Sequence, residues 1–475
     1  MLLAIVYGAV FLTVLGALSG YVLTQNRVQT NATIRAQATA IAEAGLEYYR
    51  WSLAHFPSDL QNGTGLPGPY TIAYQDPEGG QAGTIELAVT GNMACGAITS
   101  IDIRSTGRTL AEPALEQTLT ARYARPSVAR YSYILNDSVW AGADRVINGP
   151  YHSNGGVRMD GAANSTVTSS LSSWLCTSSF GCVSNQTQPG VFGTGSNQTL
   201  WEYPVPQVDF AAIAADFGGL KTKAQEQGQY LPRVSTGTNK QSASYWNGYH
   251  LMFNGNNTVT VRRVTDTTEL PSTAVNTTDE QEGIPDRTLI KTELFYSTIT
   301  LPSDCALIYV EDNVWIEGVV DQKVTIVAAN VVNTGVDPNA VLVGNVTYAA
   351  TDGSDGLTLI AENNILIAPN SPQDMNLRGI FVAQGGAFGR NYYWRSSNDS
   401  RCHTTYEPRG SLAIQGTTVS NLRTGTKWMN TNCGLDNEAG YDSRTDSYDR
   451  TLATDPPPFT PHLSADYEFV DWQEE

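Results

Sequence analysis

Histidine beside serine is the pairing in this chain that comes nearest to nucleophilic chemistry: His152 and Ser153 adjoin, and Asp160 follows. A triad needs a base within hydrogen-bond reach of the hydroxyl and a carboxylate that orients the base. Chain neighbours seldom point at one another in that way, and Asn154, Gly155 and Gly156 follow as a turn signal, so the segment reads as a corner. A second set, Asp304, Glu311, Asp312 and Glu317, could converge on a groove, as acid–base cleavage of a polysaccharide requires. Asp352 and Asp355, two residues either side of Gly353-Ser354, are the candidate oxygen ligands for a structural calcium, although the EF-hand loop pattern is missing. Walker A, HExxH, GxSxG and CxxC words are absent from the sequence. The expectation is therefore no catalytic residue, no cofactor and no resident metal, and a protein that is not an enzyme. The competing readings are a membrane-anchored β-helix enzyme acting on polysaccharide through those carboxylates and a single-span surface adhesin.

Composition narrows the field of partners. The 475 residues carry a formal net charge of −18, and only 16% are charged. Such a surface repels phosphate backbones, so no nucleic-acid partner is expected. Gly, Ser, Thr and Asn fill the place of charged residues, which suits short strands with many turns outside the cytoplasm. Six cysteines fit disulfides in an oxidising compartment but leave many pairings open. Cys176 and Cys182 can close a small loop, and Cys402 with Cys433 can staple the long segment between them.

The elements that would position these groups begin with an apolar run. Met1 to Asn26 has no charged side chain, and about twenty apolar residues span a bilayer core. It lacks the basic start of a secretory signal peptide and is longer than one. Gly16 and Gly20 stand at GxxxG spacing, which lets helices approach closely. Arg27 and Arg35 follow the span and draw that side inward, whereas the acidic, cysteine-bearing bulk argues for export; long domains translocate largely regardless of charge. A single-pass membrane protein with its ectodomain outside the cytoplasm is expected. From Gln25 to Leu53 there is no Pro and only one glycine, Gly45, and Pro57 follows. Residues 1–53 thus read as one helix, roughly 75–80 Å long at about 1.5 Å per residue.

Inside that helix, Ala42-Glu43-Ala44-Gly45-Leu46-Glu47-Tyr48-Tyr49 resembles the N-terminal region of the PilX-type minor pilins, which carry an AEAGLE word at this depth. The resemblance covers about fifty residues. It implies a type IV-like pilus subunit, minor or tip, whose helix sits in the inner membrane before assembly and packs against other pilin subunits afterwards. It implies Gly16, Gly20, Glu43, Gly45 and Glu47 as helix-packing and assembly residues, the pilus assembly machinery as partner, and the cell surface or pilus as location. The chain departs from the pattern in two ways. No glycine-ended leader precedes the helix, and Ile5 stands where most major pilins have a glutamate.

The remainder reads as β structure. Residues 54–125 alternate apolar with polar over 70–74, 84–89, 98–104 and 118–123, a small antiparallel head sheet able to cover the helix. Beyond Pro126 short strands recur: compare 308–316 with 359–367, and 326–332 with 381–388, where Asn313, Asn330, Asn364 and Gly386 precede the last apolar pair. Units of about 17 to 34 residues suggest a β-solenoid (β-helix), with Asn stacked at the corners; a β-sandwich is the alternative. Residues 126–300 would start the solenoid and carry a loop, an amphipathic helix over Val208–Gln225 and a hairpin over 249–261. Residues 301–430 would complete it, and 431–475 would be a Pro-containing tail. The expected class is α+β: a long helix, a small antiparallel sheet and a large solenoid-like ectodomain that offers surface to a glycan or host-cell ligand. Ile147 to Gly156 and Asp455 to Phe459 also resemble words found in large PilX-like bacterial surface proteins.

Overall fold

A computed structural model describes the chain except residues 58, 77, 271, 274–285, 334, 397–398, 403–404 and 430–437; for residues 272–273, 394–396 and 399–402 it describes the backbone alone. The chain divides into two compact units, residues 1–93, 98–125 and 466–475, and residues 94–97 and 126–465.

In the first unit, helix α1 (Leu2–His55) runs without a break, as a stretch free of Pro and rich in Ala, Gln, Arg and Glu should. It ends where Pro57 follows and Phe56 N–H donates to Ser52 O at 2.8 Å. None of residues 1–33 is buried. From Ala38 onward one face is, through Ala38, Ile41, Ala42, Gly45, Leu46, Tyr49, Ser52 and Leu53, the spacing of a single helical stripe. That stripe meets a five-stranded sheet. Strands β1 (Tyr70–Gln75), β2 (Gln81–Ala94), β3 (Ala97–Thr109) and β4 (Gln117–Ala124) lie in sequence order. Ile85, Leu87, Ile101, Ile103, Leu119 and Ala121 form its side of the core.

Two glycines set how closely helix and sheet approach. A Cβ on Gly107 of β3 would lie 2.1 Å from Ala38 O and 2.6 Å from Ala42 N, both helix backbone. A Cβ on Gly45 would lie 2.2 Å from Ser105 Oγ and 2.6 Å from Ile85 Cγ2. Residues 466–475, expected within a tail, instead supply the last strand of this sheet: Glu468–Glu474 pairs antiparallel with β4. Its alternating Phe469 and Tyr467 cover Tyr123, so the segment has an apolar face to bury.

The second unit is a large β-rich domain built on parallel ladders. Ile308 pairs with Ile326, and the column continues through Leu359, Phe381, Thr418, Tyr133, Tyr151, Val167 and Trp201. A second column runs Tyr249, Val314, Ala340, Ile365, Phe388. A third runs Val346, Leu377, Ile414, Asp446, Ile147, Ala163. Strands such as Leu307–Val310, Gly356–Ala361 and Ile365–Ile367 are buried at every position, the signature of parallel strands covered on both faces. Ile308, Ile326, Leu359, Phe381 and their neighbours meet in one apolar cluster.

The order of the columns differs from expectation. Residues 133–201 do not begin the stack; they continue it from the strand Pro408–Ser420, while Gln229–Leu231 and Gly248–Asn254 pair with residues 307–320 at the other side. Part of the expected tail, Glu438–Ser447, is a ladder strand between residues 408–415 and 145–148. The hairpin forms, Gly248–Asn254 against Thr258–Leu270, but its first strand is itself a ladder member. The helix expected over Val208–Gln225 is shorter, Phe217–Glu226. Asp216 caps it through Gly219 N–H, while Asp209 accepts from Ala211 and Ala212 N–H and so holds the upstream stretch in a turn.

Candidate functional site

The exposed part of α1 is the most conspicuous surface of the first unit. The helix is long and apolar enough to cross a membrane. Gly16 and Gly20 lie in this part, with nothing within 4 Å of a Cβ built on either. Glu43 and Glu47 are exposed on the side away from the sheet, and Glu47 pairs with Arg50 at 2.5 Å, one turn on. Gly45 is on the other side, buried against Ser105 and Ile85. The AEAGLE segment therefore splits: its glycine seats the helix on its own sheet, and its carboxylates face outward.

The enzyme-like groups of the second unit each have a structural partner. His152 is buried; its Nδ1 lies 2.8 Å from Thr168 Oγ1 and its Nε2 3.0 Å from Asn154 Oδ1. Burial pushes its imidazole pKa down, and the Asn154 hydrogen bond only partly offsets that. Ser153 Oγ donates to Asp137 O at 2.8 Å instead of facing the imidazole. Asp160 accepts from Trp140 Nε1, Arg158 Nε and Thr194 N–H at 2.8, 2.8 and 3.0 Å. The structure does not bring the three together.

The second carboxylate set is likewise dispersed. Asp304 is exposed. Glu311 accepts from Lys221 Nζ at 2.5 Å and from Tyr230 OH. Asp312 is buried and accepts from the N–H groups of Val234 and Ser235 at 2.8 and 2.7 Å; burial still pushes its pKa up. Glu317 belongs to a cluster that sequence spacing does not reveal. His250 Nδ1 lies 2.8 Å from Glu293 Oε2 and Nε2 lies 3.3 Å from Glu317 Oε1. Burial alone would push His250 down, but the hydrogen bonds and charges of Glu317 and Glu293 outweigh it and hold the imidazole above its ordinary pKa. This imidazole joins three strands, Gly248–Asn254, Asp286–Thr300 and Asn313–Val320. Asp352 bonds Ser354, and Asp355 accepts from Ala350 N–H at 2.6 Å. Among the described residues no group of three His, Cys, Asp or Glu side chains is placed to hold a metal ion.

What does recur is asparagine. Asn313, Asn339 and Asn364 are buried one above another. Asn313 Oδ1 accepts from Asn339 N–H at 2.9 Å and from its Nδ2 at 3.3 Å. Asn339 Oδ1 accepts from Asn364 N–H at 3.2 Å and from its Nδ2 at 3.1 Å. Asn364 Oδ1 then accepts from Ala387 N–H at 2.8 Å. A carboxamide carries an acceptor oxygen and an NH₂ donor on one rigid planar group, so it can take a hydrogen bond from one side and pass one on to the other. The expected ladder member Asn330 is not part of it; its Oδ1 accepts from Val332 and Asn333 N–H and closes its own turn. Asn339 was hidden by Pro338, which marks the segment as a loop. Asn421, Asn136 and Asn154 form a shorter run of the same kind, each link 2.8 Å.

Among the described residues two disulfides are present. Cys176–Cys182 closes the short loop, and Cys95–Cys305 joins residues 210 apart. The pairing of Cys402 with Cys433 falls outside the described residues.

No protein-family model and no curated protein matches the chain. Among solved structures it is similar to the crystal structure of the competence-associated pilin ComZ from Thermus thermophilus, at 12% identity, with 93% of this chain and 98% of that chain covered and a TM-score of 0.32.

Proposed function

We propose that this chain is a pilin-like structural subunit, a minor or tip component of a type IV-like pilus, and not an enzyme. One observation carries the proposal: a single unbroken helix has an unburied apolar first half and a second half whose buried stripe seats it on an antiparallel sheet. A plain membrane anchor needs only about twenty residues; continuity into the head makes the helix a rigid assembly element. Gly16 and Gly20 lie on open surface, where another helix can approach closely. The helix would lie in the inner membrane before assembly and against other pilin helices after it. The parallel ladders and stacked asparagines support reading the large unit as a β-solenoid that displays surface for adhesion. Dispersal of the His152 and Glu311–Glu317 groups among structural partners supports a binding role over bond chemistry.

The test is location. Cells are sheared, and the sheared fraction is labelled with an antibody to residues 54–475. Label along filaments or at their tips is expected. Label confined to the envelope of piliated cells would overturn the proposal. Gly16→Leu, which meets nothing inside the chain, is expected to leave folding intact and remove the label from filaments.

A further inference from the structure

A groove of about 390 Å³ opens in the second unit, and none of His152, Ser153, Asp160 or the Asp304–Glu317 carboxylates lines it. Its size falls within the range of small-molecule sites, about 300–1,000 Å³. Trp140 and Trp428 line it. Their indole N–H groups are already committed, to Asp160 Oδ2 at 2.8 Å and Arg390 O at 3.2 Å, so what each can give a ligand is the ring surface left beside Arg158, 4.5 Å over the Trp140 ring, and Tyr392, 6.4 Å from the Trp428 ring. Lys427, Arg444 and Arg145 also line the groove, with Asp144.

The charges do not cancel. Arg444 makes a two-pronged bond to Asp144 at 2.9 and 3.0 Å. Arg145 is held by Asp446 at 2.6 Å, and Lys427 by Glu438 at 2.5 Å. Arg423 remains. Its Nη2 donates to Ser179 O at 2.6 Å and its guanidinium lies 4.2 Å over the Phe180 ring, but among the described residues it has no carboxylate within ion-pair distance. Burial pushes its pKa down, and only Asp137 opposes this. The Cys176–Cys182 loop supplies both Ser179 and Phe180, so a covalently closed loop holds a cation that pairs with no described carboxylate.

We infer that this groove binds an acidic saccharide, its carboxylate on Arg423 and its sugar face against the indole rings. Each alternative leaves part of the lining idle. A bare anion has no use for two indoles. A neutral apolar ligand leaves Arg423 without a counter-charge. A polyphosphate chain needs several free cations, and among the described residues the groove offers one. The net charge of −18 opposes an anion at long range, but at physiological salt that repulsion is screened beyond about 8 Å. The inference rests on the reading of the large unit as an outward-displayed binding surface.

The experiment titrates the detergent-solubilised full chain by calorimetry with tri-galacturonate and with sialyllactose, against methyl-esterified tri-galacturonate and lactose as neutral partners and inorganic phosphate as a bare anion. At least one acid is expected to bind tenfold or more tightly than its neutral partner. Arg423→Gln is expected to remove that preference while leaving the neutral sugars unchanged. Met429→Glu, an exposed rim position, is expected to weaken the acid without touching the core. No acid preference in either pair, an acid preference that survives both variants, or phosphate binding as tightly as the sugars would overturn the inference. Binding to the purified chain is independent of where the protein sits in the cell. Intact binding with unlabelled filaments therefore overturns only the pilus proposal, and labelled filaments without acid preference overturn only this one.

Discussion

Gly107→Ala tests the seating of the helix on its sheet. The added methyl carbon would sit 2.1 Å from Ala38 O and 2.6 Å from Ala42 N, where ordinary C···O contacts are about 3.3 Å or longer. Both obstacles are helix backbone, so no rotamer change relieves them; the helix must lift by roughly 1 Å. Overpacking of this kind costs about 1–3 kcal/mol, and a gap of that size forfeits a quarter to a half of each dispersion contact along Ile41, Leu46 and Tyr49. A loss of about 3 kcal/mol corresponds to roughly 150-fold more frequent opening at about 1.4 kcal/mol per tenfold. Because the chain has two units, a single melting temperature would mix them; amide exchange by mass spectrometry reads each one. Peptides over residues 38–53 and 97–109 should exchange on the order of a hundredfold faster, with residues 307–383 unchanged. Gly16→Ala, which meets open space, is the control and should leave residues 97–109 as they are. Acceleration below about tenfold, or equal acceleration in both units, would refute the close-approach argument.

Asn339→Ala removes the middle of the asparagine run and leaves the Asn364 N–H and carboxamide without their acceptor; at about 1–3 kcal/mol per buried orphan, exchange over residues 313–320 and 365–367 should rise by two orders of magnitude or more. Glu362 is held up to about 7 from 4.5, by burial first, against the Asn330 N–H bond, with Asp337 adding to the rise. The folded state therefore keeps a proton that the unfolded chain releases, so stability should fall as pH rises from about 4.5 to about 7, and Glu362→Gln should flatten that part of a urea-midpoint profile. Peptide mapping without reductant should find Cys95 linked to Cys305 and Cys176 to Cys182; replacing Cys95 and Cys305 by Ser should lower the stability of the second unit by about 2–5 kcal/mol, read as a lower denaturation midpoint.

The parts legible in the sequence are those governed by local pattern. Helix α1 follows from an apolar run, helix formers and Pro57, and β1 to β4 follow from alternation. Asn313 and Asn364 stand out because apolar residues flank them. What sequence spacing could not show is pairing at a distance. Nothing in the neighbourhood of Tyr133 announces Thr418 as its partner, since parallel strands leave no shared turn between them. Cys95 and Cys305 are 210 residues apart, and His250, Glu293 and Glu317 meet only because three strands converge. Asn330 misled because an asparagine that closes its own turn and one that passes hydrogen bonds along a stack look alike in one dimension. Arg423 carried no signal at all: its significance lies in having no carboxylate within ion-pair distance among the described residues.

Asn136 bonds Asn421 across 285 residues of sequence, and the strands around them pair in the same way. A chain that emerges N-terminus first presents residues 133–169 early, with one edge of their ladder still waiting for residues 408–447. That edge is a template for any other extended chain it meets, and long-range pairing of this kind is slow. Maturity of the large unit is thus decided at the end of its synthesis. A chain cut short anywhere before residue 408 leaves the strand Tyr133–Leu135 without its ladder partner at residues 418–420, and so declares itself incomplete.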